Sequence, residues 1–92
     1  MAKVQILRWQ EIPSVVEVRD GSDVKKIQLS QKFQALIDEV AMREELAGTD
    51  AYLEEWNKSA VEERDGDAAS VVQKVADELE ERFPEFRDQV LK

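Results

Sequence analysis

Through the first thirty residues, apolar side chains recur at every second position. In residues 3–9, Lys-Val-Gln-Ile-Leu-Arg-Trp, Val4, Ile6 and Arg8 fall on one side of an extended chain and Gln5, Leu7 and Trp9 on the other. Apolar residues on both sides predict a central strand. Glu11-Ile12-Pro13 interrupts the pattern, because proline lacks a backbone donor and holds Ile12 extended. Residues 14–20 predict a second strand, with Val16 and Val18 inward, and Val24 to Leu29 a third, with Ile27 and Leu29 on one face. The Asp20-Gly21-Ser22-Asp23 turn between them predicts a hairpin.

The period then changes. Ser30 is a candidate N-cap, after which Phe33, Leu36, Ile37, Val40 and Ala41 form a helical stripe. Gly48 is expected to close that helix. Thr49 or Asp50 caps a short second helix, Ala51 to Trp56, anchored by Tyr52, Leu53 and Trp56. Residues 59–64 read as a short edge strand or a loop, with the strand favoured. Val61-Glu62-Glu63-Arg64-Asp65-Gly66 echoes Val16-Glu17-Val18-Arg19-Asp20-Gly21, which two strand exits sharing Asp-Gly turn chemistry explain better than a duplication. Asp67 caps a third helix bearing Ala68, Val72, Val75, Ala76, Leu79 and Phe83 on one face. Pro84 ends it or starts a last turn that docks Phe86, Val90 and Leu91. The order β-β-β-α-α-(β)-α predicts a single α+β domain over 1–92. Its small antiparallel sheet, of three or four strands, is packed on one face by two or three helices.

Composition narrows the chemistry. The 92 residues include neither histidine nor cysteine. That removes imidazole bases, thiolate nucleophiles, disulfides and His- or Cys-based metal sites from this chain. The net charge of −8 is uneven. Residues 1–30 hold five basic and four acidic residues, a net +1, while 31–92 hold eight and 17, a net −9. An acidic helical surface repels a phosphate backbone, so nucleic acid is not an expected partner. No apolar run approaches the ~20 residues of a membrane span, and no signal-peptide pattern opens the chain. The expected setting is the cytoplasm, without membrane association.

The carboxylates offer no evident catalytic pair. Glu44-Glu45, Glu54-Glu55, Glu62-Glu63 and Glu80-Glu81 are adjacent, and neighbours on a helix diverge by about 100°. Asp65-Gly66-Asp67 and Asp20-Gly21-Ser22-Asp23 lack the ligand order of a calcium loop. No phosphate-cradling glycine loop is present. The expectation is therefore a non-enzyme with no metal or cofactor. What remains is Trp9, Tyr52 and Trp56, either as core residues or within one partner-facing surface. That surface comprises Arg8, Trp9, Ile12, Pro13, Met42, Arg43, Tyr52 and Trp56, rich in the residue types favoured at interface hot spots.

Several short motifs carry a resemblance. They are Ile6-Leu7-Arg8-Trp9-Gln10-Glu11-Ile12-Pro13, Phe33-Gln34 with Ile37-Asp38, Ala41-Met42-Arg43, and Gly48-Thr49-Asp50-Ala51-Tyr52-Leu53 with Trp56. Across residues 3–83 the chain resembles the small bacterial "virulence factor" domain family, to which the C-terminal region of the staphylococcal conserved virulence factor C is related. The resemblance implies no catalytic residues. The reading is a protein-interaction or accessory module whose partner is another protein or a second copy. The alternative is a small-ligand-binding or enzyme-accessory subunit, for which the resemblance points to one-carbon methyl transfer.

Overall fold

The structure is a computed structural model and describes residues 1–91. Three strands open the chain: β1 (Ala2–Trp9), β2 (Ile12–Asp20) and β3 (Asp23–Gln28). Helices α1 (Gln31–Arg43) and α2 (Asp50–Glu54) follow, then two short strands, β4 (Trp56–Lys58) and β5 (Glu62–Arg64). Helices α3 (Ala68–Glu81) and α4 (Phe83–Val90) complete it. The sheet is antiparallel in the order β3-β2-β1-β4, with β5 also on β1. The α+β class and element order are as the sequence predicts.

β1 is the central strand that its two-sided apolar pattern implies. One edge pairs with β2 from Lys3↔Arg19 to Trp9↔Ile12. Its other edge is shared: β4 pairs with Leu7 to Trp9, β5 with Ala2 to Val4, and Ser59 bridges between them. There the Ser59 N–H donates to the Ile6 carbonyl at 2.9 Å, and the Ser59 hydroxyl accepts from the Ile6 N–H at 2.9 Å. Of the predicted 59–64 segment only 62–64 is strand, and β4 at 56–58 lies outside that prediction; Ser59 continues the ladder between them.

Two turns differ from the sequence reading. The first strand ends at Trp9 as expected, but β2 begins at Ile12 rather than Ser14, and a two-residue loop, Gln10-Glu11, joins the two. Gln10 takes φ +53° and is pinned on three sides. Its N–H donates to the Glu55 carbonyl at 3.0 Å, its side-chain amide to Glu44 at 3.0 Å, and its carbonyl accepts from Asn57 at 3.3 Å. Pro13 is tolerated because the register shifts beside it, from Leu7↔Val15 to Arg8↔Pro13, and leaves Ser14 as the extra residue of a bulge. The Ser14 carbonyl is instead taken by the Leu29 N–H at 2.8 Å.

The end of α1 is the second difference. The helix stops at Arg43, and Gly48 is not its terminator. Glu45 occupies the left-handed position, φ +59°. The Leu46 N–H reaches the Ala41 carbonyl at 2.8 Å and the Glu45 N–H reaches Met42 at 3.2 Å, a Schellman closure built on a glutamate. At the other end Ser30 holds the N-cap place, but its side chain makes no cap bond. Its N–H and hydroxyl both donate to the Glu80 carboxylate, at 2.7 and 2.8 Å, tying the start of α1 to the end of α3. Thr49 and Asp67 do cap, accepting from the N–H groups of Tyr52 and Ser70.

One cluster of buried residues forms the core. The stripe Phe33, Leu36, Ile37, Val40, Ala41 of α1 and Val71, Val72, Val75, Ala76, Leu79 of α3 pack with Val4, Val16 and Val18 of the sheet. α3 ends before Phe83, which belongs to α4 together with Pro84 in its first turn. Phe33 meets Phe83 edge-on, centroids 5.0 Å apart, and Phe86 at 6.2 Å, so α4 docks against α1 through aromatic contacts. The alternate residues Gln5, Leu7, Val15, Glu17, Lys26 and Lys58 line a shallow depression on the sheet. Glu17 pairs there with Arg19 at 2.8 Å and Lys26 at 3.7 Å.

Candidate functional site

The eight residues singled out from the sequence do not form one surface. Trp9 and Ile12 are completely buried and present nothing to a partner in the folded chain, and Pro13 is buried except where it lines a cleft. The reason lies in the hairpin: Trp9 pairs with Ile12 on one side and Trp56 on the other, at the closed end of the sheet. Trp9 lies 5.4 Å from the Tyr52 ring and donates its indole N–H to the Tyr52 carbonyl at 2.8 Å. Trp56 starts β4 rather than ending a helix, and stands edge-on to Tyr52 at 6.3 Å, half-buried. The three rings pack as a wedge that fixes α2 against the sheet.

Met42 and Tyr52 line one cleft and Arg8 another, whereas Arg43 and Trp56 line neither. The first, at the α1–α2 corner, has a volume of about 340 Å³ and is lined by Asp38, Ala41, Met42, Ala47, Gly48 and Tyr52. Met42 is 69% exposed beside it. Leu53, expected as an anchor of the short helix, is 64% exposed instead. Tyr52 and Trp56 lie four apart and turn inward, which leaves Leu53 roughly 100° away on the solvent side. That offset was the available signal for it. Arg43 is exposed and reaches Glu39 one turn back at 3.5 Å.

The second cleft, about 330 Å³, lies where the β1–β2 end meets α3 and α4. Arg8 and Pro13 line it, joined by Arg82, Phe86, Gln89 and Glu11. Sequence reasoning found Arg8 but missed Arg82 and Gln89. A charged or amide residue on an exposed helix has no local signature of lining a cleft, and only the docking of α4 places it there.

The shifted carboxylates lie apart from both clefts. Glu78 sits low because Arg64 bonds it through both terminal nitrogens, at 2.9 and 3.1 Å; the same pairing raises Arg64. Glu17 is lowered by its hydrogen bond to Arg19, and Asp67 by the Ser70 N–H it caps. For Glu80, burial is the largest single influence and acts upward. The Ser30 bonds and Lys32 together outweigh it and leave the group lowered. All four serve structure. Among the described residues no three Asp or Glu side chains gather as a metal site.

A family model described as "Virulence factor" matches residues 7–91. The chain belongs to the Virulence factor family. The match begins inside β1 and ends after α4, so it takes in the ring wedge and every lining residue of both clefts except Ile6. No curated protein and no solved structure matches the chain. Among the described residues no helix is long and apolar enough to cross a membrane. Membership in the Virulence factor family assigns no reaction to either cleft.

Proposed function

We propose that this chain is a non-catalytic interaction module that receives a basic, apolar-anchored segment of another protein at the α1–α2 corner. One observation carries the reading: Met42 and Leu53 stand exposed beside the Tyr52 cleft, at a corner crowded with carboxylates. Residues 38–55 hold seven carboxylates against one cation, Arg43, and that cation is paired with Glu39. An apolar pocket of 340 Å³ accepts one large side chain, and the surrounding charge favours lysine or arginine beside that anchor. The ring wedge supports the cleft from below, so docking needs little rearrangement.

A photo-cross-linking residue at Met42 tests the reading, with the same residue at Val24 on β3 as control, both in the native host. The expected result is a discrete protein linked from position 42 alone. Its linked peptide is basic and apolar, and Leu53→Asp abolishes the link. No specific product at position 42, or the same products at both positions, overturns the proposal.

A further inference from the structure

The cleft between the sheet end and α3–α4 has the opposite chemistry from the docking corner and shares no lining residue with it. We propose that it binds a small organic monocarboxylate with an apolar body. Its apolar lining is Ile6, Pro13, Leu79 and Phe86, and its volume of about 330 Å³ lies within the range of small-molecule sites.

Two guanidinium groups lie at its edge, both held by their inner nitrogens. Arg8 Nε donates to Asn57 Oδ1 at 2.6 Å, and Arg82 Nε donates to Glu85 at 2.9 Å. Arg82 also lies over the Phe86 ring, 5.0 Å from its centroid. Among the described residues the terminal nitrogens of both groups have no partner. Each guanidinium is thus anchored and keeps paired donors in the geometry that a carboxylate accepts.

Charge selects the class further. Arg8, Arg82 and Glu11 line the cleft, and Glu85 offsets part of the Arg82 charge at 2.9 Å. The rim therefore takes one added negative charge at most, and a phosphate dianion would sit close to Glu11 and Glu85 in a chain of net −8. The apolar lining then favours a monoanion with a hydrophobic body over formate or acetate. Ser59 contributes shape but few spare bonds, since its hydroxyl accepts from Ile6 and donates to the Ala60 carbonyl.

The test is NMR titration of the full isotope-labelled chain with 3-phenylpropionate, with uncharged 3-phenylpropanamide, and with inorganic phosphate. The expected result is a saturable shift of the Ile6 and Phe86 amides by phenylpropionate alone, in the low millimolar range (roughly 1–5 mM) typical of a ligand this small. Arg82→Gln, on an exposed helix corner, should weaken binding about tenfold with a native spectrum, the loss of one charge-assisted contact. Arg8→Gln should do the same, while Met42→Asp should leave the affinity unchanged, which separates this site from the docking corner. The proposal falls if phenylpropionate gives no saturable shift, if the amide or phosphate binds equally well, or if Arg82→Gln binds as the parent does.

Discussion

The indole N–H of Trp9 donates to the main-chain carbonyl of Tyr52 at 2.8 Å, while the two rings lie 5.4 Å apart. One residue of the central strand therefore holds α2 by both packing and polarity. Trp9→Phe removes the donor and part of the ring volume. The Tyr52 carbonyl keeps its bond from the Glu55 N–H, at 3.3 Å. A loss of about 1–3 kcal/mol is expected in urea unfolding, mostly from the cavity. In fluorescence, Trp56→Phe should leave the more blue-shifted emission, from the completely buried Trp9.

Glu45 closes α1 in a conformation that disfavours side chains, and places a negative charge at a helix C-terminus. Glu45→Gly relieves both. The expected gain is about 0.5–1 kcal/mol, with an unchanged denaturant slope. A loss of stability would show that the Glu45 side chain has a compensating role.

Gly66 and Gly21 should respond differently to substitution. A Cβ at Gly66 would meet Val71 Cγ2 at 3.0 Å, and its φ of +125° suits glycine alone. Gly66→Ala is expected to cost about 1–3 kcal/mol. Gly21 has φ +62° and open space around it, so Gly21→Asn should change the melting temperature little.

Acid should weaken the fold through carboxylates held low in the native state. Glu17, Glu78, Glu80 and Asp67 all lie below their ordinary values. Each contributes stability that is fully present above the unfolded-state pKa and is lost as pH falls through the lower folded one. Unfolding free energy should be flat near neutrality and decline below the ordinary carboxylate range. Urea titrations from pH 7 to 2.5 check this, and Glu78→Gln should reduce the slope of the decline. A parent protein as stable at pH 3 as at pH 7 would refute the assignment.

Alternation and helical spacing made the sheet and its helices readable. Val4, Ile6 and Leu7 revealed a two-sided central strand, and the Phe33–Ala41 stripe revealed the face of α1. What stayed hidden depended on tertiary contacts. Gln10 and Glu45 adopt positive φ because neighbours bond them there, and neither residue type announces that. Trp56 keeps helical spacing from Tyr52, yet its backbone pairs with Trp9, a partner 47 positions away in sequence. Of the residues in the candidate surface, Met42 and Tyr52 line one cleft and Arg8 lines another. Trp9, Ile12 and Pro13 were drawn inward by the hairpin they build. The second arginine of the Arg8 cleft depended on where α4 docks.

The two-sided pairing of β1 also orders events during synthesis. The first three strands can pair as soon as they leave the ribosome, because their turns are short. The outer edge of β1 waits for residues 56–64, and the Gln5–Ser59 bond spans 54 positions. For that interval the nascent chain carries an unpaired strand edge next to a finished hairpin, open to a neighbouring chain on the same message. Helix α1 is made within this interval, and the ring wedge is completed only when Trp56 arrives with β4. The late return of β4 and β5 is the step that covers this edge of the central strand.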